Sequence, residues 1–350
     1  MEQTMWAAVY HGLHDLRVER RPIPQLRDPR DAIVRVTRSA ICTSDLHILA
    51  GAVPRAVPGT ILGHEFVGEV VETGAAIQNL RPGDRVAANC ETFCGDCFFC
   101  RRGYVNNCVH GGWELGCRID GGQAEYVRVP FADTGLTRIP PGVSYEQALF
   151  VGDILSSGWF GAELLEIRPG DTVAVIGAGP VGLCAMACAR LLGAGTVIAA
   201  DIDPHRLQVA RDNGLADVCC DPQREDLEAL VLRHTEGRGA DGVIEAAGGP
   251  DTFETAWRIA RPNAVVALVA MYEEDQILPL PRMYGKNLIF KTGGVDACHC
   301  KELLDRIAAG QLNTDFLITH SGSLQQAEEG YALFAARRDH CLKWMLHLEQ

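Results

Sequence analysis

The sequence has no uninterrupted apolar stretch of about 18 residues, the length that a membrane-spanning helix requires. It also has no excess of basic residues: 45 acidic side chains outnumber 32 basic ones, for a formal net charge of −13. Nucleic acids and anionic membranes both bind basic surfaces, so we expect neither as a partner. Residues 1–6 do not form a basic segment leading into an apolar run, and we therefore expect a cytoplasmic chain.

Internal repeats and low-complexity segments are also missing, and the length of 350 residues fits two globular domains. An apolar fraction of 47% is enough to build a core in each. The 14 cysteines are better explained as thiols and metal ligands than as disulfides, because nothing in the sequence indicates export to an oxidising compartment.

The first part of the chain, up to about Pro141, contains short β-branched runs separated by glycine and proline. Runs of this length are typical of strands, and examples lie at 32–36, 66–71 and 124–129. The pattern predicts an irregular, mostly antiparallel β domain.

The pattern changes at Ser144, which begins a capping-box sequence that ends at Gln147. Near-continuous apolar runs then alternate with helical stretches, at 172–176, 196–200, 242–246 and 264–269. Strands that are buried on both faces have this composition, and helices between them indicate a parallel, doubly wound sheet. After about Gly294 the spacing becomes helical again, at 301–309 and 324–337.

A glycine-rich loop follows the first of these apolar strands and leads into a predicted helix over 183–192. Gly177 permits the tight turn, Gly179 lets a pyrophosphate approach the backbone, and Gly182 allows close packing of helix on strand. The free N–H groups at the helix start can then bind phosphate. The predicted dinucleotide-binding residues of the loop are Gly177, Gly179, Pro180, Val181 and Gly182.

An acidic residue stands at the end of the next strand, where this fingerprint requires one. Asp201 lies 19 residues after Gly182, close to the expected spacing of about 20. Its carboxylate can accept hydrogen bonds from the adenosine ribose and repels a 2′-phosphate, which favours NAD over NADP. Arg206 is near enough in sequence to bind that phosphate instead, so both remain open at this point.

Four cysteines with short spacings predict a closed zinc site at Cys94, Cys97, Cys100 and Cys108. Redox-active C-x-x-C pairs are the competing interpretation. Cys90 does not fit the spacing and is left out of this lobe. A catalytic zinc needs three protein ligands and an open position, and candidate ligands lie within 42–47 and 63–65.

The stretch from Gly63 through His64 to Gly68, continued to Gly74, resembles the signature of the zinc-dependent alcohol dehydrogenase family in the medium-chain dehydrogenase/reductase superfamily. The segments 42–47, 81–86 and 293–295, the four-cysteine lobe and the glycine loop all occur in that family's order. The resemblance covers essentially the whole chain. It implies an α/β fold: a Rossmann sheet plus a mostly β GroES-like catalytic domain.

The resemblance also implies domain boundaries. The catalytic domain is expected over 1–154, with the zinc lobe at 90–110. The NAD-binding Rossmann domain is expected over 155–294, and the chain then returns to the catalytic domain over 295–350.

By the same resemblance, Cys42 and His64 are ligands of the catalytic zinc, and Asp153 stands at the third ligand position, where many members have cysteine. Glu65 is a neighbouring carboxylate that can approach the metal. Ser44 matches the hydroxyl that hydrogen-bonds the substrate oxygen, and His47 matches the outer end of a proton relay.

The ligand set of thiolate, imidazole and carboxylate resembles two branches of the family: bacterial tetrameric secondary-alcohol dehydrogenases and formaldehyde dehydrogenase-like enzymes. The secondary-alcohol branch often lacks the four-cysteine lobe and uses NADP, so this chain departs from it in two respects. Trp113 resembles a wall of that branch's substrate pocket, and Cys90 stands where the family often places a pocket residue.

These observations predict an NAD(H)-dependent alcohol dehydrogenase or carbonyl reductase that holds two zinc ions per chain and acts on small to medium, secondary alcohols. Formaldehyde or polyol dehydrogenase activity on the same scaffold is the alternative. A non-catalytic binding protein and a zinc-free quinone reductase are disfavoured because Cys42, Ser44, His64 and Asp153 are all present. The apolar strand at 264–269 and the segment through Leu280 resemble the family's subunit contact, so we expect a homodimer or homotetramer.

Overall fold

A computed structural model describes residues 3–348 of the chain. Within them, the backbone separates into two compact units, one formed by residues up to Ser156 together with those from Asp296 onward, and the other by Ser157–Val295. No helix among these described residues has the length and apolar character needed to cross a lipid bilayer.

The strands of residues 3–348, numbered β1 to β15 in chain order, are Thr4–Gly12, Asp15–Pro22, Ala32–Ala40, Phe66–Thr73, Arg85–Ala88, Tyr126–Val129, Leu136–Arg138, Thr172–Ile176, Thr196–Ala200, Val218–Cys220, Ala240–Glu245, Ala260–Leu268, Ile289–Thr292, Ile318–Ser323 and Lys343–His347. The α-helices of the same residues, α1 to α11, are Thr43–Leu49, Ala132–Gly135, Tyr145–Ala148, Ile154–Leu164, Pro180–Leu191, Pro204–Asp212, Leu227–His234, Thr252–Ile259, Leu280–Met283, Cys300–Ala308 and Ala327–Ala335. Short 3₁₀ helices lie at Cys100–Arg102, Val105–Asn107, Asp315–Leu317 and Leu324–Gln326.

The first unit is built on a sheet with the strand order β14-β15-β3-β4-β5-β7, to which β6 adds by pairing with β3. All of its pairs are antiparallel except β14 with β15, and β1 and β2 form a separate antiparallel hairpin. The predicted mostly antiparallel domain is therefore confirmed. Apolar side chains that alternate along β3 and β4, among them Val34, Phe66 and Val70, enter its core.

The second unit is a six-stranded, fully parallel sheet with the order β10-β9-β8-β11-β12-β13. Every residue of β8 is buried, as the continuous apolar run predicted. The strand order reverses between β8 and β11, and ligands of doubly wound sheets bind at the carboxyl ends of strands at such a switch point. The glycine loop follows β8 at this place.

Several predicted boundaries differ from the observed ones. The helix predicted over 183–192 begins three residues earlier, at Pro180, because proline fits the first turn of a helix, where its missing N–H costs no hydrogen bond. The helix predicted over 324–337 is divided: a capping box between Ser323 and Gln326 begins a 3₁₀ turn, and α11 follows it.

Candidate functional site

Three side chains from distant stretches of sequence meet in the first unit. Cys42 is the N-cap of α1, His64 precedes β4, and Asp153 precedes α4. The Nε2 atom of His64 lies 3.1 Å from Oδ2 of Asp153, and Sγ of Cys42 lies 3.6 Å from the same oxygen. All three side chains are largely shielded from solvent. The structure therefore brings together the three residues predicted to hold the catalytic zinc.

The chemistry of the three donor groups fits a zinc ion. Thiolate, imidazole and carboxylate are the groups that bind Zn²⁺ in proteins. Burial alone raises the pKa of Asp153, but the hydrogen bond and charge of His64 outweigh it, so the net direction is down. Burial lowers the pKa of His64, yet Asp153 and Asp45 raise it well above its usual value.

Asp45 contacts two of the three predicted ligands, Cys42 and His64. Its Oδ2 atom accepts a hydrogen bond from the backbone N–H of Cys42 at 3.0 Å. Its Oδ1 atom lies 3.5 Å from Nδ1 of His64, and both of these buried atoms lack any closer partner. The imidazole is thus oriented with Nδ1 toward Asp45 and Nε2 toward Asp153. Sequence analysis missed Asp45, although its position three residues after the helix cap is a capping-box signal.

Glu65 lies beside the predicted ligands, but its nearest partner is a lysine from the C-terminal strand. The carboxylate forms a fully buried ion pair with Nζ of Lys343, which also donates to the carbonyl of Ile41 at 3.2 Å. Burial raises the pKa of Glu65 to about 7, although the charge of Lys343 opposes this shift. Lys343 was missed in the sequence, where the signal is a single cation inside the apolar run 341–346.

Ser44 and His47 both project from α1, three residues apart and so on neighbouring positions of one helix face. Both are half-buried. The Ser44 hydroxyl oxygen lies 3.7 Å from Sγ of Cys42, which places it beside the predicted metal ligands. This is the position from which a hydroxyl can reach a substrate atom bound at the same centre.

Trp113 also lies at this centre, whereas Cys90 is a buried neighbour. The indole of Trp113 meets the His64 ring edge-on, with 5.5 Å between the ring centroids. The guanidinium of Arg55 stands 5.3 Å from the centroid of the indole. Burial and the charge of Asp153 raise the pKa of the Cys90 thiol well above its usual value.

The second candidate metal centre is the four-cysteine lobe. Sulfur atoms lie 3.5 Å apart for Cys97 and Cys100, 3.6 Å for Cys94 and Cys108, and 4.0 Å for Cys94 and Cys100. Backbone N–H groups, first that of Cys100, lower the pKa of Cys97 to about 6, whereas burial raises the pKa of Cys94 to about 12 and also raises that of Cys100. The geometry of the four sulfur atoms, rather than their pKa values, therefore indicates a metal. Four thiols around one point fit a closed zinc site better than separate redox pairs. None of the 14 cysteines, all of which lie within the described residues, forms a disulfide.

The glycine loop has the geometry that its sequence predicted. Gly177 has φ +95°, and a Cβ on it would come within 2.9 Å of the backbone of Ala246. A Cβ on Gly182 would lie 1.8 Å from the carbonyl oxygen of Gly177, so only glycine allows this helix–strand approach. Gly179 is the N-cap of α5, with Pro180 and Val181 in its first turn.

Asp201 directly follows β9, and its side chain hydrogen-bonds to the glycine loop. Its Oδ2 atom accepts a hydrogen bond from the N–H of Ala178 at 2.6 Å, and its Oδ1 atom accepts one from Asp203 at 2.8 Å. A guanidinium nitrogen of Arg206 lies 4.0 Å from Oδ2 of Asp201. The predicted ribose-binding carboxylate and the competing arginine are therefore direct neighbours.

Comparison with known families gives two matches that together cover most of both units. Residues 28–141 match the family described as alcohol dehydrogenase GroES-like domain, and residues 180–308 match the family described as zinc-binding dehydrogenase.

Individual relatives extend over nearly the whole chain. An alcohol dehydrogenase from Cupriavidus necator is 39% identical and aligns over 98% of each chain. An NADP-dependent isopropanol dehydrogenase from Thermoanaerobacter brockii is 36% identical over 83% of this chain and 85% of its own. Among solved structures, an alcohol dehydrogenase from Thermus sp. ATN1 superposes with a TM-score of 0.91 at 38% identity, covering 98% of this chain and 99% of the other.

Proposed function

Because the chain belongs to the zinc-type alcohol dehydrogenases of the medium-chain dehydrogenase/reductase superfamily, we propose that it oxidises small to medium, secondary alcohols with NAD and reduces the carbonyl products with NADH. The Rossmann and GroES-like fold predicted from sequence is confirmed by the same relatives. The observation that carries the proposal is the convergence of Cys42, His64 and Asp153 on one point. Within residues 3–348 this group of candidate ligands has three members, which leaves one position of a tetrahedral zinc open.

In the proposal, zinc and the nicotinamide cofactor supply the reactive groups, and the residues of the protein hold the metal ions. When bound, zinc acts as a Lewis acid on the substrate oxygen, and nicotinamide gives or accepts the hydride. In the proposal, Cys42 and Asp153 hold the metal as anions, and His64 holds it through Nε2. Cys94, Cys97, Cys100 and Cys108 hold a second, structural zinc.

The proton of the alcohol needs a separate route. In the proposal, Ser44 accepts a hydrogen bond from the substrate hydroxyl and takes its proton at Oγ while it releases its own hydroxyl proton. That proton passes outward through a relay whose outer end is His47, on the same helix. Proton transfer of this kind contributes about 10²–10⁴ in rate. In the proposal, Glu65 is held beside the ligands by its pair with Lys343, while Trp113 and Cys90 form part of the substrate wall.

The preference for NAD rests on the glycine loop and Asp201. In this proposal Gly177, Gly179, Pro180, Val181 and Gly182 form the pyrophosphate cradle. The carboxylate of Asp201, which already orders the loop through Ala178, repels a 2′-phosphate. Arg206 favours the opposite, so the test is the ratio of kcat/KM for NAD and NADP in the wild type and in Asp201→Ala and Arg206→Ala. We expect the first change to raise the relative use of NADP and the second to lower it.

A substrate panel tests the reaction itself. Zinc-loaded protein is assayed with primary and secondary alcohols, polyols and formaldehyde, each with both cofactors, alongside metal analysis. We expect two zinc ions per chain and the highest kcat/KM with a secondary alcohol. A higher kcat/KM with formaldehyde or a polyol would favour the alternative activities, and absence of any turnover would contradict the proposal.

We also propose that residues 1–154 and 295–350 act as the catalytic domain and 155–294 as the nucleotide-binding domain of a homodimer or homotetramer. Support for self-association is the exposure of large apolar side chains in the segment after β12, where Ile277 is 82% exposed and Leu280 is 50% exposed. Light scattering of the wild type and of Ile277→Asp tests this proposal. We expect the variant to shift toward monomer, and a wild type that is itself a monomer would contradict it.

A further inference from the structure

The side-chain amide of Gln123 is fully buried and its orientation is fixed by its neighbours. One amide atom lies 3.2 Å from the carbonyl oxygen of Ala40 and 3.2 Å from Oδ2 of Asp45. Both neighbours can only accept a hydrogen bond, so the atom that faces them is the nitrogen. The other amide atom, the oxygen, therefore faces the hydroxyl of Tyr331 at 2.8 Å, and Tyr331 must donate.

The amide nitrogen of Gln123 connects to the next group in this series of hydrogen bonds, the carboxylate of Asp45. Its Oδ2 atom already accepts from two donors, the N–H of Cys42 and the amide of Gln123. Two fixed donors on one oxygen prevent the carboxylate from rotating, and this directs Oδ1 at Nδ1 of His64. The two atoms are 3.5 Å apart and neither has another hydrogen-bond partner among the described residues, so the carboxylate attracts a proton to Nδ1 by its charge. A neutral imidazole with its proton on Nδ1 keeps its lone pair on Nε2, the atom that faces Asp153.

Packing holds the same groups in place. A Cβ on Gly63 would lie 2.6 Å from Cγ of Gln123, so the residue before His64 rests directly on the glutamine side chain. Tyr331 belongs to α11 and is buried. Burial and the charge of Asp45 raise the pKa of the Tyr331 hydroxyl well above its usual value, and the group therefore stays a neutral donor.

We propose that Gln123 and Tyr331 are positioning residues for the predicted metal ligand His64 and act through Asp45. Their hydrogen bonds run in one direction, from Tyr331 to Gln123 to Asp45, and they fix the carboxylate that selects the Nε2-ligating tautomer of His64. Neither residue touches substrate or metal. The inference rests on the proposed function only in taking His64 as a zinc ligand.

The test compares Gln123→Leu and Tyr331→Phe with the wild type by chelator competition, which measures the zinc dissociation constant of each site. Partners outside the ligand shell typically contribute about 10–100-fold to metal affinity. We expect about a tenfold weaker catalytic site in Gln123→Leu and a smaller loss in Tyr331→Phe. The four-cysteine site should keep its dissociation constant in both variants, and it serves as the internal reference.

Phe334→Leu is the matched control. It alters the packing of α11, the helix that carries Tyr331, and removes none of the hydrogen bonds that link Tyr331, Gln123 and Asp45. A purely structural role would give all three variants the same zinc affinity, and that result would overturn the proposal. Proton-coupled ¹⁵N spectra of histidine-labelled, metal-free protein at high pH give a second readout. The proposal requires the His64 proton on Nδ1 in the wild type and a mixture of tautomers in Gln123→Leu.

Two outcomes separate this inference from the proposed function. A zinc-loaded wild type that turns over no alcohol contradicts the function but leaves the affinity comparison valid. An active wild type whose zinc affinity is indifferent to both Gln123→Leu and Tyr331→Phe contradicts the positioning role alone. If Gln123→Leu does not fold, Tyr331→Phe and the absorption spectrum of its Co²⁺ form decide, and an unchanged spectrum and affinity would contradict the role.

Discussion

The two candidate metal centres of the first unit are built in opposite ways. The four-cysteine lobe takes identical ligands from residues 94–108, a segment with two short 3₁₀ helices and partly exposed thiols. The other centre takes three different ligands from residues 42, 64 and 153 and buries them. A local centre needs only its own loop, whereas the dispersed centre needs the strands and helices that bring its ligands together.

The number of protein ligands also decides what each metal centre can do chemically. Four thiolates complete the tetrahedral coordination of zinc, and such a centre can only stabilise its loop. Three ligands leave one position for a substrate oxygen. We therefore expect changes at the dispersed centre to affect turnover and changes at the lobe to affect stability.

The largest effect is expected from Cys42→Ala. Loss of one ligand should remove the catalytic zinc and lower kcat/KM by about 10³ or more, because Lewis-acid stabilisation is worth several kcal/mol. Metal analysis should find one zinc per chain, held by the lobe. Cys90→Ala, which removes a buried neutral thiol close by, is the control and should keep both zinc ions. Full activity in Cys42→Ala would rule out the proposed ligand set.

The double variant Cys97→Ser/Cys100→Ser should lose stability and largely keep its turnover. We expect it to lose the lobe zinc and to lower the free energy of unfolding by several kcal/mol, because structural zinc contributes directly to folding. Its kcat per remaining zinc should stay within a few-fold of the wild type. Denaturant unfolding and metal analysis measure both effects, with Cys219→Ser as the control. A large loss of kcat at unchanged stability would contradict the separation of roles.

Ser44→Ala distinguishes proton transfer from metal binding at the dispersed centre. We expect turnover to fall by about 10², within the usual range for general acid–base groups, with both zinc ions retained. Thr43→Ala, which removes the exposed hydroxyl next to it, should leave turnover unchanged. Equal turnover in both variants would exclude Ser44 from the reaction.

The smallest effect concerns Glu91, which lies in sequence between Cys90 and the lobe. Burial raises its pKa to about 7, against the charge of Arg55. The folded state then holds a proton that the unfolded state releases near pH 4.5, so this group lowers stability as pH rises through that interval. Relative to Glu91→Gln, the wild type should lose on the order of 1–2 kcal/mol of unfolding free energy between about pH 5 and pH 8. Urea unfolding at both pH values measures this, and Glu72→Gln should match the wild type.

The same contrast explains what the sequence could predict. The lobe and the glycine loop are recognised from spacing alone, because their ligands and turns are local. The strands 172–176 and 196–200 were located to the residue, since continuous burial leaves a continuous apolar run. The dispersed ligands required a resemblance to a known family, because no spacing connects residues 42, 64 and 153.

The supporting residues were beyond the reach of sequence patterns. Gln123, Tyr331 and Lys343 are defined by what they contact across the fold, and none stands in a short motif that predicts its partner. Asp45 stands in a capping box that predicts its contact with Cys42 but not its contacts with His64 and Gln123. The start of β12 at Ala260 was also missed, because the three residues that follow Ala260 are polar or proline. In the sequence, Lys343 is a single charged residue that interrupts an apolar strand, and no pattern indicates that it pairs with a buried glutamate.

The ion pair of Lys343 with Glu65 has a consequence for biosynthesis. Every residue of the four-cysteine lobe leaves the ribosome long before the strand that carries Lys343, and so do the three dispersed ligands themselves. The four cysteines of the lobe need only residues 94–108 to come together, whereas the dispersed centre is complete only once the strand Lys343–His347 supplies the partner of the buried Glu65. We therefore expect a chain that ends before this strand to keep the lobe cysteines together and to lose the dispersed centre.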